Sequence, residues 1–238
     1  MLRTSLLLLL FAAPAAAQPS AEALVASWLR AQRAAEREVV LSETLERRLE
    51  GPRQSLRIET EGSVRYAPGD RPRRTVRRGT VDGEALTARE IDGLDRRLAY
   101  AFGPGGRELG RPPPPPHDVL ARAEARSVAA DRLDGQRAWR VALRLDPPPE
   151  PGGGRRGRRP PPPDALTAWF SRDGARLLEL RLEGRRRGGL VTRTLRFQRT
   201  RGLDVPASAS ARAELRQRRR LRSYAVEVTS EATYRVTE

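Results

Sequence analysis

The chain has 238 residues and no cysteine. It can form no disulfide and run no thiol chemistry, so a packed core must hold the fold unaided, and no lipid anchor on a cysteine is expected. It has one histidine, His117, directly after the five prolines at 112–116. A histidine-rich metal site and a Ser/His/Asp triad are therefore not expected, and His117 reads as a solvated loop residue. Lysine and asparagine are both missing, so all 46 basic residues are arginine, against 30 acidic ones, for a formal charge of +16. That joint absence, beside abundant alanine, glycine and proline, points to a GC-rich genome. Part of the arginine content is then mutational drift, and charge alone is weak evidence for a partner. Aromatics make up only 5% and are scarce within the basic runs, where a single-strand nucleic-acid binder interleaves them for stacking. Nucleic acid is not an expected partner. The sequence carries no Gly-x-Ser-x-Gly, no phosphate loop, no metal-ligand cluster and no isolated carboxylate pair on an apolar face, so neither catalysis nor a cofactor is expected.

A long apolar run is also lacking. The uncharged stretch at 6–13 falls short of the roughly 20 residues that span a bilayer. Arg3 precedes it and Ala15, Ala16 and Ala17 follow, which is the pattern of a secretory signal peptide cleaved after Ala17. Residues 1–17 are read as that signal and 18–238 as a single domain, exported to a periplasm without a lipid anchor.

What the chain does have is alternation. Across 164–236 apolar residues fall at every second position: Leu178, Leu180 and Leu182, then Leu195 and Phe197, then Tyr224, Val226 and Val228. A period of two places one set of side chains on a dry face and the other on a wet face of a strand. Turn residues punctuate the run at Asp173-Gly174, Gly188-Gly189 and Arg201-Gly202, so the sheet is expected to be antiparallel. Strands are also predicted over 39–49, 56–66 and 75–81, and a hairpin over 127–145 turns at Asp134-Gly135. A helix capped by Ser20 should carry Leu24, Val25, Trp28 and Leu29 towards that sheet and end near 33–37. Helix is favoured over 88–98 with a short strand at 98–102, loop over 103–116, and a short helix over 118–126. Residues 146–163, rich in proline, glycine and arginine, have almost nothing to bury and are read as a disordered insertion between adjacent strands. Residues 205–215 stay open: alanine propensity favours helix and alternation favours strand.

The segments Asp131-Arg132-Leu133-Asp134-Gly135-Gln136-Arg137-Ala138-Trp139-Arg140-Val141-Ala142-Leu143, Ala168-Trp169-Phe170-Ser171-Arg172-Asp173-Gly174, Leu177-Leu178-Glu179-Leu180 and Gly202-Leu203-Asp204-Val205-Pro206, in this order of elements, resemble the periplasmic lipoprotein-carrier superfamily. That group includes the carrier LolA, its receptor LolB and the sensor RseB. The resemblance implies an α+β fold: a curved antiparallel sheet forming an unclosed half β-barrel, with a few helices covering its concave side. It tilts 205–215 towards strand. It also implies a cavity for lipid or lipoprotein acyl chains, with Ile58, Val64, Tyr66, Trp139, Val141, Leu143, Leu180, Leu195 and Phe197 as candidate lining residues. For any one of these, core packing is the alternative. The function implied is a non-enzymatic carrier or sorting factor; the other branch implies a regulatory module that docks a membrane-bound protein through a basic rim or a sheet edge.

A rim follows from topology alone. In an up-and-down meander alternate connections share one end of the sheet. Arg155, Arg156, Arg158 and Arg159, then Arg185, Arg186 and Arg187, then Arg218, Arg219 and Arg220 would lie together there, with Asp134, Asp173 and Asp204 at the other end. Such a rim suits an anionic membrane surface or an acidic partner; the alternative is a set of solvated turns. Arg193 shares parity with Val191, Leu195 and Phe197; a bulge or a register shift at a strand end is the expected reason, and a polar contact inside a cavity is the alternative.

Overall fold

The computed structural model describes residues 18–35, 37–51, 55–67, 70–94, 112–145, 164–186, 189–219 and 222–237. In chain order its helices are α1 (Ala21–Ala34), α2 (residues 88–94) and α3 (Pro116–Leu120). The strands are β1 (Val39–Glu50), β2 (Ser55–Tyr66), β3 (Arg73–Val81), β4 (Glu84–Ala85), β5 (Ala123–Leu133), β6 (Gln136–Leu145), β7 (Asp164–Ser171), β8 (Leu177–Arg186), β9 (Gly189–Thr200), β10 (Leu203–Arg219) and β11 (Arg222–Val236). All of them belong to one antiparallel sheet in the order β4-β3-β2-β1-β11-β10-β9-β8-β7-β6-β5.

Two meanders make this order. The first runs outward from β1 to β4. The stretch with α2 and α3 then takes the chain to the far edge, and the second meander returns from β5 until β11 pairs with β1, from Leu41↔Val236 to Glu50↔Glu227. The edge strands β4 and β5 have no ladder between them, so the sheet is an unclosed half-barrel. Twist makes a sheet of more than about 10 strands curl, and the helices pack on its inner face.

Side-chain parity decides that face. On β6 Trp139, Val141, Leu143 and Leu145 are buried while Arg140 and Arg144 are exposed. Helix α1 shows the matching helical stripe: Ala21, Leu24, Val25, Trp28 and Gln32 are buried, and the Ser20 hydroxyl caps its first turn by accepting from Ala23 N at 3.1 Å. Trp28 is fully buried and meets Phe170 edge-on, with ring centroids 6.0 Å apart. The helix lies close along the turns of the sheet. Gly174 faces Leu24, a Cβ there standing 2.8 Å from a Leu24 methyl, and its φ of +71 is the backbone conformation that favours glycine.

The stretch 205–215, open between helix and strand from the residues and tilted to strand by the resemblance, is strand: residues 203–219 are extended throughout, with Ala209, Ala211 and Ala213 opposite Ala232, Ser230 and Val228. Other expectations are corrected. The short helix occupies Pro116–Leu120 rather than 118–126, and β5 begins at Ala123. A register shift between Ala125 and Ser127 breaks the alternation there, which hid the start of the strand. His117 lies on α3 and is half-buried rather than solvated in a loop. Arg193 sits at no bulge: it pairs with Ala211 on one side and Leu182 on the other in unbroken register, so it stays in phase with the inner face. Helix is present at 88–94; the rest of the helix expected to 98, the strand at 98–102, most of the loop at 103–116, the signal at 1–17 and the insertion at 146–163 lie outside the described residues.

Candidate ligand-binding site

The nine candidate lining residues are all buried, but they fall into three separate clusters. Trp139, Val141, Leu143, Leu180, Leu195 and Phe197 pack with α1 and α3. Ile58 packs with Leu94 of α2 and with Val191 and Val228. Val64 and Tyr66 join Val39, Leu41, Leu203 and Tyr234. Trp139 lies under a cation: the Arg172 guanidinium stands 3.6 Å above its ring, and its Nε1 donates to Arg172 O at 3.0 Å. Of the nine, Tyr66 lines an apolar cleft.

That space is a small cleft of about 40 Å³, open to solvent, where β1 and β10 begin and β2 ends. Val39, Tyr66, Leu203, Val205 and Pro206 form its sheet wall, Pro115, Pro116 and His117 its helical wall, and Arg37 stands at its edge. The polyproline stretch is anchored from the sheet, because the Tyr66 hydroxyl donates to Pro113 O at 3.2 Å. Burial, and then the nearby Glu43 carboxylate, push the Tyr66 hydroxyl far above its ordinary pKa, so it stays a donor.

Asp204, which also borders the cleft, ties α1 to the sheet. Its Oδ2 accepts from Trp28 Nε1 at 2.7 Å and from Leu177 N at 2.8 Å, while its own N–H donates to Gln32 Oε1 at 2.9 Å. Arg199 Nη1 lies 3.6 Å from the other oxygen. Burial nevertheless raises its pKa above the ordinary carboxylate value, against the lowering effect of these donors. Asp204 is 3% exposed, so it is not the rim carboxylate that the meander argument placed beside Asp134 and Asp173.

Sequence reasoning passed over the charges inside the half-barrel. Glu43 and Arg74 form a pair with side-chain exposures of 2% and 8%, Arg74 Nη2 donating to Glu43 Oε1 at 2.8 Å and its Nε to the other oxygen. Tyr234 hydrogen-bonds the same carboxylate, and burial followed by that carboxylate raises its pKa far above normal. Arg47, 3% exposed, lies in the same phase of β1. The signal was in the sequence: Glu43 and Arg47 keep parity with Leu41, Leu45 and Leu49.

The meander places the connections after β6, β8 and β10 at one end of the sheet, opposite the cleft. Arg185, Arg186, Arg218 and Arg219 are the last residues of their strands there. Arg155, Arg156, Arg158, Arg159, Arg187 and Arg220 lie outside the described residues. Among the described residues no helix is long and apolar enough to cross a membrane, and no three His, Asp or Glu side chains gather as a metal site.

No protein-family model matches the chain, and no curated protein matches it in sequence. Solved structures similar to it include a LolA superfamily protein from Nitrosomonas europaea, at 11% identity over 92% of both chains with a TM-score of 0.35. A putative outer membrane lipoprotein-sorting protein domain from Vibrio parahaemolyticus is similar at 10% identity over 89% of this chain and 93% of that one, with a TM-score of 0.35. The MucA/MucB complex of Pseudomonas aeruginosa is similar at 12% identity, over 90% of this chain and 99% of the solved one, with a TM-score of 0.23.

Proposed function

We propose that this chain is a non-enzymatic periplasmic binding protein that shelters an acyl chain of a lipid or lipoprotein between its sheet and its helices. The observation that carries the reading is the cleft: an apolar wall of Val39, Tyr66, Leu203, Val205 and Pro206 left open to solvent beside the helices, with the Arg37 cation at its edge. At about 40 Å³ the cleft is far smaller than the usual small-ligand site of about 300–1,000 Å³, so an acyl chain enters only as the helical wall moves away from the sheet. Each methylene buried in the widened cleft gains about 0.8 kcal/mol, so a stretch of about ten gains roughly 8 kcal/mol before the cost of association and of opening the cleft.

Native mass spectrometry and lipid extraction on the mature protein, purified without detergent, test the reading. Bound lipid or acylated peptide is expected, along with uptake of a fluorescent fatty acid. Ala67 is half-buried on the lining, and Ala67→Trp should fill the cleft and lower uptake by at least about tenfold while leaving the melting temperature nearly unchanged. An empty protein that takes up no acyl probe would mean a closed, dry core and would sink the carrier reading.

A further inference from the structure

Strands β10 and β11 outrun their neighbours. The ladder of β10 with β9 ends at Ala213↔Val191, and that of β11 with β1 ends at Glu50↔Glu227. The two strands go on pairing with each other through Leu215↔Val226, Arg216↔Ala225, Gln217↔Tyr224, Arg218↔Ser223 and Arg219↔Arg222. At roughly 3.3 Å per residue, those rungs carry a two-stranded ribbon about 17 Å past the ladders on either side.

Charge changes sign along this ribbon. At its root Glu214 pairs with Glu227, which in turn pairs with Glu50. Beyond the root, residues 215–226 contain no acid and five arginines, of which Arg216, Arg218, Arg219 and Arg222 occupy described ladder positions. The last of these rungs sets Arg219 directly opposite Arg222. Like charges directly opposite each other weaken a strand pair, and an isolated two-stranded ribbon has little stability to spare. An anion bound at the tip relieves that repulsion.

The geometry points to an anionic phospholipid surface as the partner of this ribbon. Arg216, Arg218, Arg219 and Arg222 occupy both parities of this ladder. Arginine at both parities of the ladder suits a laterally continuous negative plane met end-on, rather than a protein patch that must match one parity. Arg185 and Arg186, at the end of β8 on the same rim, add to the field. From the proposed function this inference takes only the export of the chain, which brings it to membrane surfaces rather than to nucleic acid.

The test uses the mature chain and vesicles of one part phosphatidylglycerol to two parts phosphatidylcholine, beside vesicles of phosphatidylcholine alone. One variant combines R216Q, R218Q, R219Q and R222Q. The control combines R71Q, R73Q, R77Q and R78Q, four exposed positions on and beside β3, and so removes the same charge elsewhere. Each cation near an anionic surface is worth roughly a fivefold change in partitioning. The ribbon variant should lose at least about 100-fold and the control less than about threefold, and binding of the parent should fall steeply between about 0.1 M and about 0.5 M salt. Equal losses in both variants, unchanged binding of the ribbon variant, or capture by heparin but not by the vesicles would overturn the proposal. Fatty-acid uptake, read in the same samples, separates the two ideas: the ribbon variant should keep it, and a parent that binds vesicles without uptake would fail as a carrier while the docking site stands.

Discussion

Removing the Asp204 carboxylate should show how firmly α1 is tied to the sheet. In Asp204→Ala two buried donors, Trp28 Nε1 and Leu177 N, lose their acceptor. Each orphaned buried donor costs about 1–3 kcal/mol, so the expected loss is about 2–6 kcal/mol. At about 2–4 °C per kcal/mol for a chain of this size, the melting temperature should fall by roughly 4–24 °C. Asp204→Asn is the informative partner. Its carbonyl oxygen can accept from both donors, and it removes a charge that burial disfavours, but its amide nitrogen takes the place of the buried, unbonded Oδ1 beside Arg199, so the cost should be about 1–2 kcal/mol, smaller than that of alanine. The pH dependence has a definite sign. The folded-state pKa of Asp204 is raised, so its protonation favours the folded state. That contribution is fully present below the unfolded-state pKa and is lost as pH rises through the folded one. Relative to Asp204→Asn, the parent protein should therefore gain stability on acidification across that window. Urea unfolding followed by tryptophan fluorescence measures all three proteins. If Asn and Ala variants lose equal stability, or the parent loses ground to the Asn variant on acidification, the reasoning fails.

Glu43→Gln leaves the buried Arg74 cation without its carboxylate partner and should cost about 3–5 kcal/mol in urea unfolding, whereas a double change of Glu43 and Arg74 to methionine should cost far less. Glu179 is equally buried, but its partners Arg181 and Arg196, at 2.6 and 3.2 Å, are half exposed and can rehydrate. Glu179→Gln should accordingly cost only about 1–3 kcal/mol, a smaller loss than Glu43→Gln in the same assay. Gly62 sits where the β2–β3 register shifts, and a Cβ there would meet Thr75 O at 2.1 Å. Gly62→Ala should force these strands apart, costing about 1–3 kcal/mol and speeding hydrogen exchange over β3 before the rest of the sheet.

Legibility in the sequence followed regularity. Uninterrupted alternation, as in Trp139, Val141, Leu143 and Leu145, located a strand and its dry face together, and the Ser20 cap with the Trp28 stripe located α1. Where a bulge interrupts the period, as at Ala125 and Ser127, local pattern gave helix for what is strand. The alanines of 207–213 were ambiguous because alanine favours helix by itself, and only pairing with β9 and β11 holds them extended. The cleft was scarcely legible, since Val39, Tyr66, Pro115 and Leu203 meet through long-range topology. Asp204 looked like an ordinary turn acid because its burial depends on α1, which lies far away in sequence. Arg193 was attributed to a bulge when its parity should have been taken literally, as should that of Glu43 and Arg47.

Strand β10 is a strut with a different fixture at each end. Leu203, Val205 and Pro206 at its start border the cleft, and Arg218 and Arg219 at its finish belong to the cationic ribbon. Along the seventeen-residue strand the two lie at most about 50 Å apart. A molecule docked on a lipid surface by its ribbon, as proposed above, would hold its cleft at the opposite end of the strand from that surface.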